Sequence, residues 1–181
     1  MAMADLQKSL EALKLAIKTE EEGYNLYKSG AAGTKNEMVK SIFQQLLKDE
    51  LMHMDLIKRF YAQMNDSGSW AQLTPEERDY KGLKGEYKTI FSKTLEKVKS
   101  GEEKFTDSDA TAYQQAIDFE NRGVKMYAAL YDETKDEKAK KFYAFLREME
   151  QEHADVLDNT FQFLKDPKNW YMHEEGWTLD D

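Results

Sequence analysis

The sequence predicts an all-α protein: a four-helix bundle with a long crossover between its second and third helices. Three observations lead there. Glu, Lys, Leu and Ala are abundant, and the only prolines are Pro75 and Pro167, a composition that favours long helices over sheet. Four long stretches carry apolar residues at alternating steps of three and four, the spacing of one helix face. The second pair of stretches also repeats the first at a distance of one hundred residues.

The first helix is expected from about Asp5 to Ala31, with Leu10, Leu13, Ile17, Glu20, Tyr24 and Tyr27 on its inward face. The second is expected from about Asn36 to Met64, with Phe43, Leu46, Glu50, His53, Ile57, Phe60 and Met64 inward. Between them, residues Gly30 to Lys35 break the pattern. The segment from about 65 to 107 is too long for a tight connection. It reads as a crossover with short helices of its own. One starts at Thr74-Pro75-Glu76-Glu77, with Thr as cap and Pro in the first turn, and another covers about Tyr87 to Lys99. The third long helix runs from about Ser108 to Glu133, carrying Tyr113, Ile117, Glu120, Val124, Tyr127 and Tyr131. Thr134 to Asp136 form the next turn. The fourth helix runs from about Glu137 to Lys165, with Tyr143, Leu146, Glu150, His153, Leu157 and Leu164 inward. One domain, residues 1–165, is expected to hold the bundle, and residues 166–181 to form a C-terminal aromatic tail.

The repeat carries the chemistry. Ala16-Ile17-Lys18-Thr19-Glu20-Glu21-Glu22-Gly23 recurs as Ala116-Ile117-Asp118-Phe119-Glu120-Asn121-Arg122-Gly123. Thirty residues after each inward glutamate comes Glu-x-x-His, as Glu50 and His53 and again as Glu150 and His153. Two of the chain's three histidines fall in this register. Positions i and i+3 share a helix face, so each pair can reach one ion. A turn near the midpoint of each thirty-residue interval returns the second helix to the height of the first, a rise of roughly 15–20 Å each way. All six residues then sit at one level inside apolar seams. Ionised carboxylates are costly at such positions unless compensated. Two divalent cations match four carboxylates. One Glu from each of two helices and Glu-x-x-His from each of the others is the ligand set of di-iron and di-manganese carboxylate bundles. Carboxylate with imidazole suits either metal. The alternative is a duplicated bundle that kept buried polar groups without metal. Duplication explains the register but not charge at four seam positions in both halves.

Other residues invite weaker readings. Glu21, Glu22, Glu148 and Glu152 lie beside the seam and are expected to be solvated. Met52 and Met54 are expected to pack, and His173 to lie at the surface. Tyr27 and Tyr127, seven residues beyond Glu20 and Glu120, are either core aromatics or partners of the site that bond a ligand carboxylate or relay electrons or protons. Tyr24 has Val124 as its counterpart, so a tyrosine there would make the two metal positions inequivalent.

Composition excludes other classes. The net charge of −9, without a run of Lys and Arg, argues against a nucleic-acid or anionic-membrane surface. No apolar run is long enough to span a bilayer. The N-terminal residues show no export signal, so a cytoplasmic location is expected. The chain has no cysteine, which excludes disulfides and cysteine-ligated clusters within it.

Ala-Ile-x-x-Glu-x-x-Gly-x-x-x-Tyr, present in both halves, together with both Glu-x-x-His motifs, resembles the ferritin-like superfamily and within it the rubrerythrin-type proteins. The tail Asp166-Pro167-x-x-Trp170 with Gly176-Trp177-x-Leu179-Asp180 is similar to that of short rubrerythrin-like proteins. The resemblance implies that Glu20, Glu50, His53, Glu120, Glu150 and His153 bind two iron ions, with Glu50 and Glu150 bridging, and that Tyr27 and Tyr127 serve the site. It implies reduction of hydrogen peroxide or dioxygen and a homodimer. Two departures matter. Full-length rubrerythrin carries a four-cysteine rubredoxin domain that feeds the centre, whereas this chain would need an external, rubredoxin-like donor. Rubrerythrin also has an extra glutamate one turn after its third-helix ligand, where this chain has Gly123. The alternative is a ferroxidase or iron-handling protein of the ferritin or bacterioferritin type.

Overall fold

A computed structural model describes residues 3–101 and 104–167, with the backbone alone at residue 99. Six helices and no strand occur among the described residues: α1 (Met3–Gly33), α2 (Glu37–Ser67), α3 (Pro75–Arg78), α4 (Gly82–Ser100), α5 (Asp107–Glu133) and α6 (Glu137–Lys165). The four long helices form a ferritin-like bundle.

Local chemistry sets their ends. Asn36 caps α2 by accepting from the Val39 N–H at 3.0 Å. Asp136 accepts from Lys138 and Ala139 at the start of α6. Thr106 and Asp109 form a reciprocal capping box at α5, and Thr74 with Glu77 does the same at α3. These bonds satisfy N–H groups that have no partner inside a helix. The α2 C-terminus ends on Gly68 at φ 63°, a left-handed cap. The expected long helices are all present. In the crossover, α4 begins at Gly82, five residues before the expected Tyr87, because its first turn is held by a buried carboxylate described below. The C-terminal tail from residue 168 onward, including Trp170, His173 and Trp177, lies outside the described residues.

α1 packs against α2 and α5 against α6, with α1 against α5 joining the two hairpins. α4 lies against both α2 and α6. The core divides into two apolar clusters. One gathers Ala31, Met38, Val39 and Phe43 near the α1–α2 turn with Tyr113 and Phe163. The other gathers Ala139, Phe142 and Leu146 near the α5–α6 turn with Leu13, Phe60 and Trp70. The two turns therefore lie at opposite ends of the bundle. Each large apolar side chain buried here contributes roughly 1.5–3 kcal/mol. The level between the clusters is where the polar side chains converge.

Candidate metal centre

All six residues singled out in the repeat are brought together at that level. Glu20, Glu50, His53, Glu120, Glu150 and His153 are each at most 3% exposed. The donor atoms of Glu50, Glu120, Glu150 and His153 lie within 4.8 Å of one another, and those of Glu20, Glu50 and His53 form a second such group. Glu50 belongs to both. His53 Nδ1 stands 3.0 Å from Glu20 Oε2 and 3.8 Å from Glu150 Oε1. In the other half, His153 Nδ1 stands 3.5 Å from Glu120 Oε1 and 3.7 Å from Glu150 Oε2. The two imidazoles face each other nearly parallel, 5.6 Å apart at an angle of 21°.

The arrangement is open toward its centre. Both oxygens of Glu50, one oxygen each of Glu120 and Glu150, and His153 Nδ1 are buried without a hydrogen-bond partner. Polar atoms are rarely left so. Electrostatics agree. Burial and the neighbouring carboxylates, Glu20 and Glu150 foremost, push the Glu50 carboxyl well above its ordinary range. Burial with Glu20 and Glu120 does the same to Glu150. Burial would also raise Glu20, but the hydrogen bond and charge of His53 outweigh it and hold this carboxyl at about 2. Bare oxygens, bare imidazole nitrogen and mutually repelling carboxylates are the conditions that a bound cation relieves, so the donor set fits metal.

Tyr27 and Tyr127 border this level from opposite sides. Tyr27 donates to Glu120 Oε1 and Tyr127 donates to Glu20 Oε1. Each tyrosine thus reaches the glutamate of the other hairpin, not the one on its own helix. Burial and the adjacent carboxylates keep both phenols well above pKa 10 and hence protonated. Tyr24 is half-buried and packs under Lys28, with no bond to the site. Glu21, Glu22 and Glu148 are exposed, as expected, and Glu152 pairs with Lys84 at 2.7 Å. Met52 packs partly buried on the cluster that holds Phe60, and Met54 is buried.

One residue of the site was not foreseen. Asp49, fully buried, accepts from the Tyr80 hydroxyl and the Leu83 N–H at 2.7 Å each, from Gln45 at 2.9 Å, and lies 3.1 Å from His153 Nε2. It holds the first turn of α4, whose preceding residue, Lys81, makes no side-chain cap. Gly82 permits the approach: it has φ 45°, and a Cβ there would lie 2.7 Å from Asp49 Oδ2. The available signal was the repeat itself. The position before Glu50 is Asp49, whereas the one before Glu150 is Met149.

A ferritin-like bundle enclosing four glutamates and two histidines in a buried level fit for metal defines the class of protein. Within that class, the rubrerythrin profile matches residues 11–161, and the chain belongs to the rubrerythrin family, whose members hold a non-haem di-iron centre. No match was found among curated proteins or among solved structures. No described helix is long and apolar enough to cross a membrane.

Proposed function

We propose that the protein reduces hydrogen peroxide at a di-iron centre, using electrons from a separate donor. Glu20, Glu50, His53, Glu120, Glu150 and His153 would hold the metal, with Glu50 and Glu150 shared between the two positions. When bound, ferrous iron supplies the two electrons that cleave one O–O bond and acts as a Lewis acid toward its oxygens. The protein supplies the rest. Peroxide needs two electrons and two protons to become two waters. Tyr27 and Tyr127 hold two phenolic protons in hydrogen bonds to ligand carboxylates, from where they would be drawn inward as negative charge develops on the peroxide oxygens and then be replaced. The apolar clusters on either side exclude bulk water.

The observation that carries this reading is the pair of crossed tyrosine–glutamate bonds at a site with almost no exposure. It suits a small oxidant with two oxygen atoms better than a bulky organic substrate. Two surface grooves, of about 420 and 360 Å³, are lined by none of the six residues. Dioxygen is the other oxidant that fits. Manganese would satisfy the same donors; iron is the pair we propose because the rubrerythrin family holds a di-iron centre. With no cysteine among the 181 residues, a rubredoxin-like carrier is the donor we propose; the family resemblance supports a homodimer, and the cytoplasm is the location we propose.

A second reading, ferroxidase or iron handling, is favoured by Gly123. The glutamate expected there in rubrerythrin is missing, which leaves a symmetric four-glutamate, two-histidine set. Anaerobic loading with ferrous iron, followed by separate mixing with peroxide and oxygen, decides. Faster oxidation by peroxide supports the peroxidase. Faster oxidation by oxygen, with a large closed multimer and a mineral core, supports iron handling.

A further inference from the structure

The two histidines are chemically alike but differently held. His153 Nε2 lies 3.1 Å from Asp49 Oδ2, so its outer nitrogen carries the proton and its inner Nδ1 presents a lone pair to the centre. His53 has no such support. Its inner Nδ1 also faces carboxylates, but its outer Nε2 is buried with no hydrogen-bond partner. The residue at the position equivalent to Asp49 is Met149, which is buried and cannot accept that proton as a carboxylate does.

A carboxylate behind a ligating imidazole fixes its tautomer and orientation and makes it a stronger donor. Asp49 is itself immobilised by Gln45, Tyr80 and the Leu83 N–H, so it is pinned to both α2 and α4.

We infer that Asp49 is a positioning residue that makes the two metal positions unequal: the one served by His153 fills first and holds its ion more tightly. The inference rests on the metal-centre reading of the site. It also gives the crossover a role, because the first turn of α4 and Tyr80 set the Asp49 carboxylate that orients His153.

The test is an anaerobic titration of the metal-free full chain with ferrous iron, followed by calorimetry and by Mössbauer spectroscopy of the half-loaded and fully loaded protein. Two steps are expected, and half-loading should fill one spectroscopic environment before the other. Asp49→Met, which copies the second half onto the first, should weaken the tighter step by about ten- to hundredfold and leave the weaker one in place. Tyr80→Phe should shift the same step in the same direction by less. Met149→Asp, which leaves Asp49 and Tyr80 in place, should tighten the weaker step and bring the two together. It therefore tests the inference even if Asp49→Met fails to fold. Two equal steps in the unaltered protein, or equal weakening of both by Tyr80→Phe, would overturn the inference while leaving the metal centre standing. Failure of the unaltered protein to take up iron would instead overturn the metal centre itself and this inference with it.

Discussion

Gly23 lies so close to Glu50 that a Cβ on it would stand 2.9 Å from the carboxyl carbon of Glu50, and 2.8 Å from the Phe119 ring. The glycine of the repeat thus borders the site: its missing side chain leaves room for the Glu50 carboxylate. At the equivalent Gly123 the nearest atoms belong to Glu150, at 3.2 and 3.3 Å.

The difference predicts unequal effects of the same substitution. Gly23→Ala should displace Glu50 or Phe119, with an overpacking penalty of roughly 1–3 kcal/mol and reduced metal content. Gly123→Ala needs a shift of only a few tenths of an ångström. The helix gains about 1 kcal/mol from Ala over Gly, so the net change should be near zero. Thermal melts and metal analysis of the two variants check this. Equal metal content in both would show that Glu50 has room elsewhere.

Metal stoichiometry tests the ligand set. The protein purified with iron available should carry close to two metals per chain. Glu50→Ala or Glu150→Ala should deplete both positions, because each carboxylate is proposed to be shared, whereas His53→Ala or His153→Ala should weaken mainly one. Chelation should lower the melting temperature, since ligand binding to the folded state stabilises it by about 2.7 kcal/mol per site at a hundredfold excess over Kd. Stability unchanged by chelation, with iron absent after reconstitution, would favour a bundle that keeps these groups without metal.

The crossed tyrosines make a kinetic prediction. Tyr27→Phe removes the hydroxyl that donates to Glu120, and Tyr127→Phe the one that donates to Glu20. A hydrogen bond to a charged group is worth about 1.5–3 kcal/mol, so both variants should be less stable yet still take up metal. If the phenols pass protons, the reaction of the diferrous protein with peroxide should slow in each, by about a hundred- to ten-thousandfold for loss of a general acid. Rapid-mixing absorbance follows it. An unchanged rate would leave both tyrosines as packing and ligand-orienting groups only.

The electron source makes another. Reduced protein mixed with peroxide should react once and stop, because a diferrous pair holds two electrons and the chain has no cysteine-ligated cluster to renew them. Sustained consumption of peroxide with NADH should need an added rubredoxin-like carrier and its reductase, and should depend on salt because the chain carries a net charge of −9. Multiple turnovers on NADH alone would show a route for electrons that bypasses any carrier.

The helices and the face each turns inward were legible in the sequence because both depend on local chemistry. Asn36, Thr74, Thr106 and Asp136 cap within three residues of themselves, and a period of 3.6 puts Glu50 and His53 on one side of α2 without reference to any other helix. The one-hundred-residue repeat then doubled that information, so six buried residues could be named from spacing. Which side chain meets which across the bundle was not legible. Tyr27 finds Glu120, 93 residues away, and Asp49 finds His153, 104 residues away. Such pairs depend on the relative height and rotation of packed helices, which no periodicity within one helix specifies. Asp49 reads in sequence as one more charged residue beside the seam. Only the approach of α4 over α2 and α6 buries it, surrounds it with four donors and turns it toward a histidine of the other half.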